Sequence, residues 1–328
     1  MENRGDRTGV EPAQPQSRLG GGRLDWIDVA RGIGIIAVVI GHVWTRGPLR
    51  DAVYSFHMPL FFLLSGLLSR SQPVAAFTLR QLGSQMRPYA AFLTLLILVD
   101  QIIEPLRGHR PIFHHWPQDL LPILLGGAWL RGPYTIFWFV PCLMVSRILF
   151  NALLARWPDP LDRRWTWVLM PMLLLAYGVG NVTRNSALGL LTVPMALMLL
   201  WVGSLWQTVG WRDWIWVPLG ALSLAGLSGI LPTLNMKAAD YGLPLLSIAS
   251  AIATSLLLFR ISIRVSPVGA LLGAIGRASL VIMYLHVAVI HYLAPILGKP
   301  WLLLLALLVP TAAYYGLRAL PIARRVFL

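Results

Sequence analysis

The chain is divided into apolar stretches of membrane-spanning length, and most of its basic residues lie in the gaps between them. A helix needs about 20 apolar residues to cross a bilayer, so each stretch predicts a transmembrane helix. Ten stretches qualify: 27–45, 52–69, 88–104, 134–155, 165–181, 187–208, 214–232, 241–260, 268–296 and 300–320. The stretch 118–130 is shorter and contains Pro122 and Gly126, which predicts a re-entrant or interfacial segment. The predicted fold is an all-α polytopic membrane helix bundle of about ten transmembrane helices.

The composition supports the same fold class and excludes others. Hydrophobic residues make up 57% of the 328 residues and charged residues only 12%, whereas soluble domains carry about 25% charged residues. The net charge of +14 does not predict nucleic-acid binding, because the basic residues are distributed over loops rather than along one polar face. Residues 1–24 are polar and predict a disordered cytoplasmic tail, so that 25–328 form the transmembrane domain.

The distribution of basic residues between loops predicts the topology. With ten crossings and the N-terminus inside, 17 Lys and Arg residues fall on the inner side and 8 on the outer side. If 118–130 also crossed, 11 would lie inside and 14 outside. Inner loops are normally enriched in Lys and Arg, so we expect ten crossings with both termini in the cytoplasm.

The first apolar stretch carries the strongest chemical signal. Arg31 and His42 are eleven residues apart, which is about three helical turns plus 20°, so they share one helix face and are offset by about 16 Å along the axis. Asp28 precedes Arg31 by three residues and can pair with it, which lowers the cost of placing a guanidinium in the membrane. A snorkelling arginine and an interfacial histidine are the alternative interpretation.

Four motifs in the chain resemble those of one membrane family. They are Asp28-Val-Ala-Arg31 with Gly41-His42, Tyr54-Ser-Phe-His57-Met-Pro59 running to Ser65-Gly66, Phe137-Trp138-Phe139-Val140-Pro141, and Ile275-Gly276-Arg277-Ala-Ser279 running to Tyr284-Leu-His286. In this order they resemble the membrane-bound acyltransferase-3 family, and in particular its fucose 4-O-acetylase-like branch. The resemblance extends from about Asp25 to Leu320.

The resemblance implies a fold, an activity and a catalytic pair. Members of the family are ten-helix inner-membrane proteins that transfer an acyl group, usually acetyl, from cytoplasmic acyl-CoA to a sugar hydroxyl of a surface or secreted glycan. The family's catalytic motif of an arginine, ten residues and a histidine corresponds to Arg31 and His42. Many members have two basic residues before the third span, whereas this sequence keeps only Arg87 of that pair.

Acyl transfer to an alcohol assigns tasks to these residues. A neutral imidazole is suited to remove the proton of the attacking hydroxyl, so His42 is the candidate general base, with a covalent acyl-histidine as the variant. Arginine binds phosphate in bidentate geometry, and we expect the phosphates of CoA at four residues near the predicted cytoplasmic face: Arg31, Arg70, Arg80 and Arg87.

A second group of residues is expected to bind the acceptor or support the catalytic pair, although each also has a plain structural interpretation such as helix packing or an interfacial aromatic belt. The group comprises Asp28, His57, Ser65, Trp138, Arg147 and His286. No metal site is expected, because Cys142 is the single cysteine and His109, His114 and His115 lack companion ligands at metal spacing. The expected requirement is acetyl-CoA as donor substrate, with no bound cofactor.

Two other function classes fit a basic membrane bundle. A transporter or flippase of an anionic or lipid-linked substrate would also place Arg and His inside the membrane, but the sequence shows no repeat of its early motifs in its second half. An O-acyltransferase acting on a small-molecule acceptor is the other alternative.

The excess of arginine over lysine is typical of a GC-rich bacterial genome, so we expect the protein to lie in the bacterial cytoplasmic membrane. The expected acceptor is an exopolysaccharide, for example of the xanthan type, or a lipopolysaccharide. The oligomeric state stays open.

Overall fold

A computed structural model describes residues 25–328, and this part of the chain is helical apart from loops and one isolated bridge between Asn235 and Asp240. The predicted tail 1–24 lies outside the described residues. The helices are α1 Asp25–Val43, α2 Pro48–Tyr54, α3 His57–Leu67, α4 Val74–Gln81, α5 Arg87–Leu106, α6 Leu120–Leu125, α7 Phe139–Arg156, α8 Arg164–Val182, α9 Val193–Ser204, α10 Trp216–Leu227, α11 Leu246–Val265, α12 Ala270–Arg277, α13 Ser279–Leu293, α14 Lys299–Ala319 and α15 Pro321–Phe327. A π-helical turn, Leu82–Met86, joins α4 to α5.

Within residues 25–328, seven helical segments are long and apolar enough to cross a membrane. They are Asp25–Val43, Val74–Leu106, Gly132–Arg156, Arg164–Val182, Ala187–Gln207, Leu246–Val265 and Lys299–Ala319. The pair α12 and α13 adds an eighth if it is counted as one span, although the two helices meet at an angle of 78°. The all-α membrane bundle is therefore confirmed, while the predicted number of ten crossings is not.

The predicted span 52–69 is broken, because α2 ends at Tyr54 and α3 begins at His57. The Ser55 hydroxyl donates to the Ala52 carbonyl, and the His57 ring bonds the Val53 carbonyl. Side chains that bond backbone carbonyls compete with the continuation of a helix. The break places His57 at the first turn of α3, where its ring is held in one orientation.

The predicted span 214–232 is also shorter than expected, since α10 contains only 12 residues. The chain leaves the helix through Ser228 and Gly229, and Gly229 has a φ of +79°. A glycine in the left-handed region is a common way to end a helix. The stretch 118–130 folds into the six-residue helix α6 and a tight turn, Gly127–Trp129, which is too short to span.

Glycines allow the helices around the site to approach each other closely. A Cβ atom on Gly32 of α1 would lie less than 3.0 Å from the carbonyl oxygen of Leu272, and one on Gly276 of α12 would lie as close to that of Asp28. Gly66 and Gly203 form a similar crossing between α3 and α9. The backbones therefore touch at these crossings, which fixes α1 and α3 in the bundle.

Two buried carboxylates hold the end of α5 to α13. Asp100 accepts hydrogen bonds from the Tyr292 hydroxyl at 2.9 Å and from the Ile112 amide at 2.8 Å. Glu104 pairs with Arg107 at 2.9 Å and with His291 at 3.2 Å. One ligand atom from each of Asp100, Glu104 and His291 lies within 4.8 Å of the others. Because Glu104 and Asp100 already bond Arg107 and Tyr292, we interpret the cluster as a structural tie.

Candidate functional site

His42 lies in a cavity of about 250 Å³, here called the histidine cavity. It is enclosed by α1, α2, the start of α3, the segment before α7 with the first residue of α7, the loop between α10 and α11, and α13. Its polar lining residues are His42, Arg50, Tyr54, His57, Thr135, Asn235 and Lys237, and Trp138 forms part of its apolar wall. Neither ring nitrogen of His42 has a hydrogen-bond partner among the described residues, so the imidazole is available to a ligand.

Two further histidines surround His42, and their hydrogen bonds fix their neutral tautomers. The Nδ1 atoms of His57 and His286 lie 2.7 Å from the carbonyl oxygens of Val53 and Ile282. A carbonyl only accepts, so each Nδ1 carries the proton and each Nε2 of the neutral ring holds a lone pair. The rings of His42 and His286 are 5.0 Å apart between centroids, and the buried Nε2 of His286 has no partner in the described part of the chain.

Two cations line the histidine cavity. Lys237 donates from Nζ to the carbonyl of Leu130 at 3.0 Å and to the hydroxyl of Thr135 at 2.8 Å. Arg50 lies over the ring of Tyr54 and pairs with Asp51 at 2.9 Å.

The environment of Lys237 weakens its hold on a proton. Burial, together with the charge of Arg131, lowers the pKa of Lys237 to about 8. The other titratable or charged groups that line the same cavity are Arg50, Tyr54, His42 and His57. None of these groups carries a carboxylate, so the described lining of the cavity offers Lys237 no anionic partner.

Arg31 lies in a second cavity of about 270 Å³, here called the arginine cavity. Arg31, Arg147 and Arg277 line it, together with Ser65 and Gln85. Asp28 is buried and pairs with Arg31 at 3.5 Å and with Arg277 at 4.0 Å. Asp28 thus pairs with two of the three guanidinium groups of this cavity.

Arg147 is incompletely hydrogen-bonded within the described part of the chain. Its Nε atom is buried and has no hydrogen-bond partner among the described residues, while its guanidinium carbon lies 5.9 Å from the ring centroid of Phe77. A buried donor without a partner costs free energy. The arginine cavity is therefore suited to an anionic ligand.

The two cavities share a wall of two side chains, Phe139 and Met283. Phe139 is 5% exposed and is held edge-on against Phe62, with ring centroids 5.3 Å apart. Met283 is 4% exposed, and its unbranched side chain has several rotatable bonds. The wall therefore consists of one fixed aromatic ring and one adaptable thioether. It separates the cavity of Arg31 from the cavity of His42.

Comparison with known families identifies the chain. Residues 24–314 match the acyltransferase-3 family, which is described as an acyltransferase domain. The chain belongs to this family. No curated protein matches the sequence. The chain is accordingly a multi-pass membrane acyltransferase, and the resemblance that its four motifs predicted is confirmed at the level of the family.

The acyltransferase brings most of the predicted site residues to the two cavities. His42, His57 and Trp138 line the histidine cavity, while Arg31, Ser65 and Arg147 line the arginine cavity. Asp28 forms an ion pair with Arg31, and the ring of His286 contacts the ring of His42.

Three of the predicted CoA-binding arginines lie elsewhere. Arg70, Arg80 and Arg87 are exposed and do not line the arginine cavity. Of the three, Arg80 shares a contact with a residue of the arginine cavity, because its guanidinium group and that of Arg147 both lie over the ring of Phe77. Closeness in sequence to the start of the third predicted span does not bring a side chain into the cavity that Arg31 lines.

Several lining residues of the acyltransferase were missed by sequence reasoning. Arg50, Arg277 and Lys237 count as loop charges in the topology argument, yet each lines one of the cavities. Arg277 had a signal, since it lies within the fourth motif. No sequence motif marks Lys237, because its position depends on a loop that folds back over the bundle.

Proposed function

We propose that this acyltransferase moves an acetyl group from acetyl-CoA to a sugar hydroxyl, and that the acyl group crosses the wall formed by Phe139 and Met283. The observation that supports the proposal is the presence of two cavities of different chemistry with one common wall. A cation-rich cavity suits a phosphorylated donor, and a cavity with three histidine neighbours and an indole suits a polyhydroxylated acceptor.

The donor is assigned to the arginine cavity. Arg31, Arg147 and Arg277 bind phosphate oxygens of CoA in this proposal, with Asp28 holding two of the three guanidinium groups in place. A neighbouring cavity of about 400 Å³ shares Arg277 and contains Arg318 and Arg324 as well. The cationic lining therefore continues from the arginine cavity into this neighbouring cavity.

The three exposed arginines, Arg70, Arg80 and Arg87, have other roles in this proposal. Arg80 contacts the same aromatic ring as Arg147, so we assign it to the entrance of the arginine cavity. Arg70 and Arg87 are assigned to the first, long-range attraction of the anionic donor.

His42 performs the proton transfer in the proposed reaction. Its imidazole takes the proton of the acceptor hydroxyl while that oxygen attacks the thioester carbonyl carbon. A carbon–oxygen bond forms, the carbon–sulfur bond breaks, and the departing thiolate takes the proton from the imidazolium. In the covalent variant the imidazole nitrogen of His42 first attacks the thioester carbon, the carbon–sulfur bond breaks, and the thiolate takes the ring N–H proton. The sugar hydroxyl then attacks the acetyl-histidine, the carbon–nitrogen bond breaks, and the hydroxyl proton returns to the ring.

The neighbouring side chains support His42 in this scheme. The Nε2 lone pair of His286, which has no partner in the described part of the chain, takes a hydrogen bond from His42 when the acceptor hydroxyl binds and so selects the tautomer of His42, which is a positioning role. His57 bonds a sugar hydroxyl through its free Nε2, and Trp138 stacks on the sugar ring. Ser65 lies at the donor side, while the adjacent Gly66 serves the contact with α9.

The surroundings of the reaction follow from the predicted topology. We propose ten crossings with both termini in the cytoplasm of a bacterium, so that the donor is cytoplasmic acetyl-CoA. The acceptor is then an exopolysaccharide, for example of the xanthan type, or a lipopolysaccharide at the outer side of the cytoplasmic membrane.

Labelled acetyl-CoA tests the proposal. The purified protein in lipid nanodiscs is incubated with acetyl-CoA carrying a radioactive acetyl group and with glycan isolated from a strain that lacks the protein. We expect alkali-labile label in the glycan with the wild type. We expect none with Arg31→Ala, and wild-type transfer with the exposed control Arg46→Ala. Absence of label in any glycan, together with accumulation of a labelled or lipid-linked substrate inside proteoliposomes, would replace the enzyme with a transporter.

A further inference from the structure

The charges around His42 carry an inference about the acceptor itself. Among the described residues, the histidine cavity is lined by two cations, Lys237 and Arg50, and by no Asp or Glu. Charged side chains within a membrane bundle are costly unless they are paired or bind a ligand. The lining is therefore electrostatically incomplete without an anion.

Lys237 is the more informative of the two cations. Both of its hydrogen bonds go to neutral oxygens, the carbonyl of Leu130 and the hydroxyl of Thr135, and no ion pair of Lys237 is found in residues 25–328. An ammonium group has three N–H donors. Two of them are used to hold Nζ at the cavity, and one is left for a ligand.

Arg50 contributes a second, partly compensated charge. It pairs with Asp51, whose side chain is 41% exposed to solvent, and lies 4.0 Å above the ring of Tyr54. A guanidinium group has five N–H donors in a planar fork. The contacts to Asp51 and Tyr54 leave several of these donors for another anion on the cavity side.

We propose that the acceptor carries an anionic group, a carboxylate or a phosphate, which Lys237 and Arg50 bind while the neighbouring hydroxyl faces His42. The inference rests on the proposed function and names the substrate class for the same cavity. A cavity of about 250 Å³ is small beside the ~300–1,000 Å³ of drug-sized ligand sites. The anionic group and the acylated hydroxyl therefore belong to the same sugar or to adjacent sugars.

Carboxylate and phosphate have different natural sources. A carboxylate would come from a uronic acid or an acidic substituent of the glycan, and a phosphate from a lipid-linked glycan precursor. The test uses three acceptor probes that share glucose hydroxyls. Methyl glucoside is neutral, the methyl glycoside of glucuronic acid carries a carboxylate in place of the 6-hydroxyl, and decyl phosphoglucose carries a phosphate between sugar and lipid, so that the 2-, 3- and 4-hydroxyls are common to all three.

The experiment measures both binding and transfer for the full chain in nanodiscs. Binding of each probe is measured by calorimetry, and transfer is measured with radiolabelled acetyl-CoA. The variant Lys237→Gln removes the charge but keeps a donor for Leu130 and Thr135, while Lys237→Arg keeps the charge. Lys299→Gln is the matched control, because Lys299 is the other lysine of the chain and is exposed at the start of α14.

We expect at least one charged probe to bind ten times or more tighter than methyl glucoside. Lys237→Gln is expected to remove most of that preference, whereas Lys237→Arg and Lys299→Gln keep it, and the KM for acetyl-CoA stays within twofold of the wild type throughout. Equal binding of neutral and charged probes would overturn the inference. So would an unchanged preference in Lys237→Gln, or a rise in the KM for acetyl-CoA that is confined to that variant.

The design separates this inference from the proposed function. If a charged probe binds through Lys237 and no label reaches any probe or glycan, the anion site stands and acyl transfer to sugars is wrong. If methyl glucoside accepts label as well as the charged probes, acyl transfer stands and the anion site is wrong.

Discussion

Truncating Met283 to alanine tests the wall between the two cavities. The change removes the Cγ, Sδ and Cε atoms from the flexible half of the wall, while Phe139 stays fixed against Phe62. The cavities of about 250 and 270 Å³ then communicate through a wider opening. A longer acyl chain passes this opening more easily, so the donor preference should shift toward longer acyl-CoA.

The size of the shift follows from what the wall excludes. The space freed by the Met283 side chain accommodates about two methylene groups, and each methylene that a pocket rejects changes specificity by roughly 10- to 200-fold. Two methylenes, each at the lower figure, together give about 100-fold, so we expect the kcat/KM ratio of butyryl-CoA to acetyl-CoA to rise by at least about 100-fold. The truncation also costs about 2–5 kcal/mol of stability, as other buried methionine-to-alanine changes do.

The assay must separate selectivity from stability. Met195→Ala is the matched control, because Met195 is fully buried in α9 and lines neither cavity. Acceptor-dependent release of CoA is measured with acetyl-CoA and butyryl-CoA in competition, and thermal unfolding is followed for both variants. The reasoning is refuted if Met283→Ala keeps the wild-type ratio while Met195→Ala loses as much stability and activity.

Three further predictions concern the packing, the charge in the cavity and the buried carboxylates. Gly66→Ala places a Cβ against the Leu200 carbonyl and should lower the free energy of unfolding by about 1–3 kcal/mol, which is measured as a lower Tm. The control Gly316→Ala meets open space and should not lower the Tm. Equal Tm values for the two variants would contradict the tight crossing. The charge of Lys237, whose pKa burial lowers to about 8, disappears as the pH rises through that value. Tighter binding of an anionic probe should therefore be present at pH 7 and largely lost at pH 9, but retained in Lys237→Arg, which also corrects for the cavity histidines; parallel pH profiles would speak against it. Glu104→Gln loses its ion pairs and should lower the free energy of unfolding by about 1–3 kcal/mol without changing acyl-chain preference, and an unchanged denaturation midpoint would argue against the structural tie.

The parts of the fold that depend on local sequence could be predicted. The first apolar stretch and the spacing of Arg31 and His42 predict one continuous helix. In the structure, α1 runs unbroken from Asp25 to Val43. The two residues reach different cavities with one shared wall, as residues of one helix face with a large axial offset can. The short segment 118–130 was predictable from its length.

The breaks in the helices and the composition of the cavities could not be predicted in this way. The second predicted span is broken near its start, where the side chains of Ser55 and His57 bond carbonyls of the preceding turn. Hydropathy does not predict such hydrogen bonds. Arg277 and Lys237 reach the cavities through a bent helix pair and a folded-back loop. Those positions depend on contacts between segments distant in sequence. For the same reason Arg70 and Arg87, which the sequence suggested as CoA-binding residues, lie exposed outside the arginine cavity.

The most direct test of the account is a comparison of donor binding and acyl transfer in His42→Ala, with the exposed His114→Ala as control. His42 lies across the wall from the arginine cavity, so its loss should leave the Kd for acetyl-CoA within a few-fold of the wild type. Transfer of label to the glycan in a single turnover should fall by about 10²–10⁴-fold, the usual loss when a general base is removed. Transfer at the wild-type rate by folded His42→Ala protein would contradict the account.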